Sequence, residues 1–377
     1  MRIGFDGKRA VQNFTGLGNY SRYVADILCH FYPENDYVLY APKKRENKRM
    51  NLLTGQYRQL TLAYPATSFW KKLSSLWRVW GITSQLEKEG IELFHGLSNE
   101  LPLNIHKSRI KSIVTIHDLI FLRYPQYYQS IDRKIYTYKF RKACENADKI
   151  IAISECTKRD IIRYFNIPDD KIEFVYQGCD VSFTHPVTEE KKEEVRKKYQ
   201  LPDHYILNVG SIEERKNILA AVQALPMLPQ HIHIVIVGRR TGYTEKVEQF
   251  IKDNGLGERV HIISNVPFND LPAFYQSAEI FVYPSRFEGF GIPIIEALYS
   301  GIPVVAATGS CLEEAGGPDS IYVNPDDITG LADAFKQIYS NSDKRKNMVE
   351  KGREFAKRFS EKQQSEEIIN IYKKLIR

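Results

Sequence analysis

Two glutamates with seven residues between them flank a glycine-containing loop in the second half of the chain. Glu288 and Glu296 lie in the segment Glu-Gly-Phe-Gly-Ile-Pro-Ile-Ile-Glu-Ala. The apolar run 279–285 before it predicts a buried strand, and Pro293 predicts the first turn of a helix. A strand, a glycine loop and a helix N-terminus favour anion binding, because backbone N–H groups point out of the helix. Carboxylates beside such a loop fit a ligand that also offers hydroxyl donors, as sugars and riboses do.

The residues inside this loop determine how closely a ligand can approach the backbone. Gly289 and Gly291 allow a tight turn on either side of Phe290. The helix that follows is predicted to end at Ser300, where Gly301 stops it. The alternative interpretation is an ordinary strand–loop–helix unit with two solvated glutamates.

A basic pair precedes another predicted helix. Arg215 and Lys216 belong to the segment Gly-Ser-Ile-Glu-Glu-Arg-Lys-Asn, which follows the predicted strand 205–209. Cations and backbone amides at a helix N-terminus can bind a diphosphate. A solvated charge pair is the alternative, and the glycine before the pair argues against it.

The first half of the chain carries two weaker signals. Gly16 and Gly18 open a predicted helix, where backbone amides could approach a phosphate or a sugar. The dinucleotide-binding fingerprint would require a third glycine at position 21, which is Ser21. His117 follows the predicted strand 113–116, at the strand end where open α/β sheets bind ligands. A simple turn and a histidine that caps a strand are the respective alternatives.

Together these motifs resemble glycosyltransferase family 4, whose members are retaining enzymes with the GT-B fold. The resemblance rests on the Glu-x7-Glu segment, on Arg-Lys-Asn at 215–217 and on His-Asp-Leu at 117–119, and it covers nearly the whole chain. It implies an α/β protein of two Rossmann-like domains that face each other across a cleft. It also implies that the last helix crosses back to the first domain.

The resemblance assigns a role to each of these residues. It implies that Glu296 binds the ribose hydroxyls of a nucleotide-diphosphate sugar and that Glu288 binds a hydroxyl of the transferred sugar. His117 is expected beside the reacting sugar, which makes His117 and Glu288 the predicted catalytic residues. The predicted donor-binding residues are Gly16, Gly18, Arg215, Lys216, Gly289, Phe290, Gly291 and Glu296.

A chain of 377 residues is too long for one compact core and predicts two domains. We expect an acceptor-side domain at 1–183, completed by a C-terminal helix at 360–377, and a nucleotide-sugar-binding domain at 200–359. Residues 184–200 are highly charged and lack an early apolar period, and we therefore expect a linker there.

The positive charge is concentrated in the first half. Residues 1–183 contain 28 Lys and Arg and 19 Asp and Glu, whereas residues 184–377 contain 25 and 27. This excess predicts a contact with an anionic membrane surface or with phosphate-bearing ligands; we find no nucleic-acid-binding motif and expect no nucleic-acid partner. Phe69, Leu73, Leu76 and Trp80 share one face of a predicted helix. That helix either packs on its own domain or lies on an anionic membrane or a lipid-linked acceptor.

The composition also limits the location and the cofactors. The chain starts directly with a predicted strand, which leaves no room for a signal peptide, and its five scattered cysteines are typical of reduced thiols. We therefore expect a cytoplasmic protein, with a peripheral position at the inner membrane face as a further possibility. No Asp-x-Asp motif is present to hold a divalent cation against a diphosphate, so we expect neither a metal nor a cofactor beyond the donor itself.

The sequence thus predicts a retaining hexosyltransferase of cell-surface polysaccharide synthesis, with a glycan or a lipid-linked acceptor. The residue sequence of the 210–217 segment resembles that of mannosyltransferase-like members of the family, which favours GDP-mannose over UDP-sugars. A nucleotide-sugar epimerase of the same architecture and a non-catalytic nucleotide-sugar sensor remain alternatives. A nicotinamide oxidoreductase is disfavoured by the incomplete glycine fingerprint and by the two glutamates.

Overall fold

A computed structural model of the chain describes residues 1–376, and Arg377, the last residue of the predicted C-terminal helix, lies outside the described residues. The chain forms two compact units. The first consists of residues 1–177 together with the C-terminal helix, and the second of Gly178–Ser360.

The first unit is built on a parallel sheet of seven strands. Its strands are β1 (Arg2–Asp6), β2 (Asp36–Tyr40), β3 (Leu60–Ala63), β4 (Leu93–Gly96), β5 (Lys111–Ile116), β6 (Lys149–Ala152) and β7 (Ile172–Phe174). Their order across the sheet is β3-β2-β1-β4-β5-β6-β7. Because the order reverses between β1 and β4, the carboxyl ends of these strands form the crevice in which such sheets bind ligands.

Helices cover both faces of this sheet. They are α1 (Lys8–Gln12), α2 (Gly16–Phe31), α3 (Lys48–Gln56), α4 (Ser68–Lys72), α5 (Ser74–Leu76), α6 (Ile82–Lys88), α7 (Ile120–Arg123), α8 (Ser130–Asn146) and α9 (Glu155–Phe165). Ser154 caps α9, since its side chain accepts a hydrogen bond from the backbone N–H of Thr157. A π-helical turn at Trp77–Gly81 connects α5 to α6.

The second unit has a parallel sheet of six strands. Its strands are β8 (Tyr205–Val209), β9 (His233–Val237), β10 (Val260–Ile263), β11 (Ile280–Tyr283), β12 (Val304–Ala307) and β13 (Ile321–Val323). The order is β10-β9-β8-β11-β12-β13, which reverses between β8 and β11. Its helices are α10 (Glu189–Tyr199), α11 (Ile218–Ala224), α12 (Thr244–Asp253), α13 (Leu271–Gln276), α14 (Ile292–Ser300), α15 (Leu312–Gly316), α16 (Ile328–Ser340) and α17 (Ser342–Ala356).

The last helix, α18 (Glu361–Ile376), belongs to the first unit. It packs against α2 and contributes Ile368, Ile369 and Tyr372 to the core on one face of the first sheet. The predicted class of two Rossmann-like α/β domains is therefore confirmed, as is the return of the final helix to the first domain.

The charged segment after residue 184 is a helix for much of its length, and the prediction of a linker throughout it was wrong. Thr188 caps the N-terminus of α10, and Lys191 and Lys198 form ion pairs with Asp270. Apolar periodicity does not report these long-range pairs, and for this reason the helix was missed.

Candidate functional site

The loop between β11 and α14 is built as its residues predict. Gly291 occupies the N-cap position of α14, Pro293 lies in the first turn and Gly301 ends the helix with a φ of 75°. A Cβ on Gly291 would lie 2.9 Å from the Cβ of Ala315, so a side chain there would push α15 away. The ring of Phe290 is buried and meets Phe359 with ring centroids 5.7 Å apart. A ligand at this loop would therefore meet the backbone of residue 290 and not its ring.

Glu288 joins both residues of the predicted basic pair. One of its carboxylate oxygens lies 2.9 Å from Nη1 of Arg215, and the other lies 3.9 Å from Nζ of Lys216. The hydroxyls of Ser285 and Tyr283 donate to that second oxygen at 2.8 and 3.2 Å. The structure therefore brings Arg215, Lys216 and Glu288 into one cluster, although more than 70 residues separate the pair from the glutamate.

The cluster is ionised at neutral pH. Burial acts to raise the pKa of Glu288, but attraction to Lys216 and Arg215 outweighs burial and holds the pKa below its usual value. Burial likewise acts to lower the pKa of both cations, and their neighbours reverse this: Glu288 raises the pKa of Arg215, and Tyr283 with Glu288 raises that of Lys216. Arg215 and Lys216 thus supply two fixed cations beside the Glu288 carboxylate, and the carboxylate of Glu213 lies 3.6 Å from Arg215.

Glycines let the loops above this cluster approach one another. Gly210 has a φ of 153°, and a Cβ there would lie 2.9 Å from Nζ of Lys216. A Cβ on Gly238 would lie only 1.8 Å from the carbonyl oxygen of Gly210. The ammonium group of Lys216 therefore lies close to the backbone at Gly210, with the hydroxyl of Tyr283 3.3 Å away.

Glu296 lies on α14 and has a different environment. Its carboxylate accepts a hydrogen bond of 2.6 Å from the hydroxyl of Tyr275, on α13. Burial raises the pKa of Glu296 to about 7, although the bond from Tyr275 acts in the opposite direction. The two predicted glutamates are thus distinct groups: Glu288 is paired with cations, and Glu296 is poised between its neutral and charged forms.

Cys311 contacts the loop between β11 and α14, and the sequence did not indicate this contact. Its thiol lies 3.0 Å from the carbonyl oxygen of Glu288 and 3.3 Å from that of Phe290. No local motif indicates this contact, because the loop and the cysteine lie on different strand–helix units.

In the first unit, His117 lies at the carboxyl end of β5 and both of its ring nitrogens are hydrogen-bonded. Nε2 lies 2.9 Å from the carbonyl oxygen of Leu97, and Nδ1 lies 3.3 Å from the side-chain amide of Gln177. A carbonyl only accepts, so Nε2 carries the proton and Nδ1 accepts from the amide. Burial lowers the pKa of His117 to about 4. The imidazole is therefore neutral near pH 7, with its tautomer fixed.

Gly16 and Gly18, at the start of α2, differ in what they permit. A Cβ on Gly18 would lie 1.9 Å from the carbonyl oxygen of Asn13, so the close packing of α1 on α2 requires a glycine there. A Cβ on Gly16 would meet nothing within 4 Å. Packing therefore explains Gly18, whereas Gly16 leaves an open approach to the N-terminus of a 16-residue helix.

A buried ion triad at the end of β1 was also missed. Arg78, on the π-helical turn, lies 2.5 Å from Asp6 and 2.5 Å from Glu100. The three side chains line a cavity, and Ser98 donates to Asp6 at 3.3 Å. Asp6 is the last residue of β1, a position that could have indicated the site, whereas Arg78 lies 72 residues away with no local signal.

The apolar face predicted at 69–80 points to solvent. The exposed fractions are 60% for Phe69, 39% for Leu73, 44% for Leu76 and 48% for Trp80. The segment is not one helix but α4, α5 and the π-helical turn. These four side chains are therefore exposed, whereas Trp77 of the same segment is buried in the core of the first unit.

Two further properties concern metals and membranes. Within residues 1–376, no group of three or more His, Cys, Asp or Glu side chains is arranged to hold a metal ion. Nor does this part of the chain contain a helix long and apolar enough to cross a bilayer.

Comparison with protein families identifies both halves of the chain. Residues 21–183 match the model described as Glycosyltransferase Family 4, and residues 190–355 match the model described as Glycosyl transferases group 1. The first match contains the His117 site, and the second contains the Arg215, Glu288 and Glu296 sites.

Curated relatives support the same assignment. O-antigen chain mannosyltransferase B of Escherichia coli is 31% identical over 289 residues, which cover 75% of this chain and 74% of that protein. O-antigen chain mannosyltransferase RfbU of Salmonella typhimurium is 28% identical over 225 residues, which cover 60% of each chain.

Among solved structures, HepE of Anabaena in complex with UDP and glucose superposes with a TM-score of 0.77. The match covers 100% of both chains at 17% identity, which makes it a likeness of fold. With the strand–loop–helix geometry and the relatives above, the chain belongs to glycosyltransferase family 4 and is a glycosyltransferase with the GT-B fold.

Proposed function

We propose that this protein is a retaining mannosyltransferase that uses GDP-mannose and extends a glycan or lipid-linked acceptor during cell-surface polysaccharide synthesis. The nucleotide sugar and the acceptor are its substrates, and no further cofactor is required. Two relatives named O-antigen chain mannosyltransferases support the choice of sugar and process.

The cluster of Arg215, Lys216 and Glu288 is the observation that carries this proposal. Its two fixed cations suit a diphosphate, and its carboxylate, fixed by Ser285 and Tyr283, can accept a hydrogen bond from a sugar hydroxyl. The leaving diphosphate gains negative charge as the bond to the sugar breaks. Preorganised cations stabilise that charge, which is the largest contribution to the rate that we assign.

Glu296 would accept hydrogen bonds from the ribose hydroxyls, and the glycine loop 289–291 would let the nucleotide reach the backbone. In the first unit, backbone N–H groups at the N-terminus of α2, near Gly16, would donate hydrogen bonds to the nucleotide sugar. His117 would contact the transferred sugar as a neutral group. Its lowered pKa makes it unsuited to carry a proton at neutral pH. We therefore assign the acceptor's proton to the leaving phosphate, on the same face of the sugar.

The test of this proposal is a donor screen followed by a transfer assay. Thermal shifts with GDP-mannose, UDP-glucose and UDP-galactose identify the donor, and radiolabelled sugar then reports transfer to lipid extracts that carry the glycan. Binding and transfer of mannose from GDP-mannose is the expected result. Turnover of the donor without any acceptor would identify an epimerase, and binding without turnover would identify a sensor.

We also propose that the donor is bound without a metal ion, because two cations already face the diphosphate position. Chelation by EDTA should leave the transfer rate nearly unchanged. A loss of activity that Mg²⁺ or Mn²⁺ restores would contradict this.

We also propose that the protein works in the cytoplasm, with its first unit placed peripherally at the inner membrane face. The exposed Phe69, Leu73, Leu76 and Trp80 lie beside Lys71 and Lys72, and the surrounding unit is basic. Flotation with anionic and neutral vesicles at low salt tests this: the protein should rise with the anionic vesicles only, and Trp80→Ser should weaken flotation. Sedimentation of the wild-type protein in both samples would reject the membrane contact.

A further inference from the structure

A continuous line of buried polar side chains crosses the core of the first unit, from α18 to α2. The hydroxyl of Tyr372 lies 2.6 Å from Nδ1 of His95. Nε2 of His95 lies 2.8 Å from the hydroxyl of Thr115, and that hydroxyl lies 3.2 Å from the hydroxyl of Tyr20. The line therefore links two helices through two neighbouring strands, β4 and β5.

This line lies among apolar side chains. His95, Thr115 and Tyr372 have an exposed fraction of 0%, and Tyr20 has 8%. A buried polar group is costly unless it is hydrogen-bonded, and a network that is fully satisfied becomes rigid. Burial lowers the pKa of His95 to about 3, so its ring is neutral and offers one donor and one acceptor. Each of the three contacts can then be a hydrogen bond in which one group donates a proton and the other accepts it.

Tyr20, the last residue of this line, packs against His117, which is a predicted catalytic residue. The ring of Tyr20 meets the imidazole of His117 at 89°, with ring centroids 4.6 Å apart. Tyr20 also lies on the same helix as Gly16 and Gly18. Hydrogen bonds hold the two nitrogens of His117, and the ring of Tyr20 packs against its imidazole from another side.

We propose that Tyr372 is a positioning residue for the transfer reaction. Its hydroxyl fixes His95 and Thr115, which in turn fix the phenol of Tyr20. The ring of that phenol then holds His117 at the place where the transferred sugar is expected. The effect on rate rests on the proposed function, whereas the effect on the position of His117 does not.

The experiment compares Tyr372→Phe with Tyr37→Phe. Tyr37 is equally buried in the same core, but its hydroxyl donates to the carbonyl oxygens of Leu28 and Tyr32, away from the line. Loss of one buried hydrogen bond from the line should lower kcat about three- to tenfold, with KM for the donor within twofold. The control should leave kcat within twofold, even if both variants melt at a lower temperature.

A second measurement does not depend on activity. The ring-proton resonances of His117, assigned by comparison with His117→Gln, should carry a ring-current shift from Tyr20. Tyr372→Phe should reduce that shift, and Thr115→Val, which breaks the line at its centre, should do the same; Tyr37→Phe should not. If the resonances and kcat in Tyr372→Phe match those of the control, the proposal is overturned. If the wild-type protein transfers no sugar, the proposed function fails, and the resonances still decide the positioning role.

Discussion

The candidate residues of the two units differ in charge. In the second unit, Arg215, Lys216 and Glu288 are ionised and paired with one another. In the first unit, burial lowers the pKa of His95 and His117, and both remain neutral at pH 7. The same fold therefore supports a charged cluster in the second unit and, at His95 and His117, an uncharged hydrogen-bonded network in the first. The ion triad of Asp6, Arg78 and Glu100 is a separate group of the first unit.

This difference matches the two parts of the donor in the proposed function, the diphosphate that leaves and the sugar that is transferred. A nucleotide diphosphate is an anion, and fixed cations at a helix N-terminus bind it. A sugar hydroxyl is neutral, and neutral donors and acceptors bind it without competing for the diphosphate. The division of charge thus predicts which substitutions affect nucleotide binding and which affect turnover alone.

The largest effect is expected when the charged site loses a cation. Arg215→Ala should lower the transfer rate by about 10²- to 10³-fold, because a preorganised group that stabilises the leaving charge is removed. Steady-state kinetics with the full donor measures this. Arg239→Ala is the matched control, since Arg239 is 78% exposed and lies 3.8 Å from Glu213; its rate should stay within twofold. Equal rates in the two variants would show that Arg215 is a structural cation only.

The next largest effect concerns Glu296 and Glu288, whose substitutions should change different properties of the protein. Glu296→Ala should weaken binding of the bare nucleotide diphosphate about ten- to a hundredfold, because a charged hydrogen bond to the ribose is worth about 1.5–3 kcal/mol. Glu288→Ala should leave that affinity undiminished, because it removes negative charge beside the diphosphate, and should reduce turnover instead. Calorimetry and transfer rates provide the comparison. An equal loss of nucleotide affinity in both variants would contradict the division of the donor between them.

A smaller effect is expected from pH. With a pKa of about 7 for Glu296, the carboxylate is ionised in about one tenth of molecules at pH 6 and about nine tenths at pH 8. Affinity for the bare nucleotide should therefore rise about tenfold over this range. Glu296→Gln removes the titration and should flatten the profile. A rise of the same size in that variant would assign the pH dependence to another group.

The smallest effect concerns stability. Between pH 4.5 and 7 the folded state keeps a proton on Glu296 that the unfolded state has released, so the free energy of unfolding falls as pH rises through this window. Relative to the wild type, Glu296→Gln should gain a few degrees in melting temperature at pH 8 and little at pH 5. Other titrating groups contribute equally to both proteins and cancel in the difference. An unchanged difference at the two pH values would refute the raised pKa.

Local signals predicted those parts of the molecule whose causes are local. The strand predicted at the start of the chain is β1, and its alternating apolar residues determine it. Helix α14 ends at Ser300 as predicted, with Pro293 in its first turn and Gly301 after its end. The loop around Glu288 follows from its glycines for the same reason.

The contacts that orient the side chains could not be predicted. His95 meets Tyr372 across 277 residues of sequence, and Arg78 meets Asp6 across 72. Lys191 and Lys198 of α10 pair with Asp270, more than 70 residues further along the chain. Such pairs are determined by how the elements pack, which neither periodicity nor capping reports. The raised pKa of Glu296 likewise arises from burial and has no sequence signature.

The return of α18 to the first unit also determines the order in which the chain can complete its fold during synthesis. The unit that begins at residue 1 needs Ile368, Ile369 and Tyr372 for its core, and these leave the ribosome last. The second unit, Gly178–Ser360, is contiguous and has all its residues earlier. A nascent chain that stops before residue 361 therefore lacks the part of this apolar core that α18 supplies, and the apolar surface left exposed favours aggregation. The unit translated first is the last to be finished.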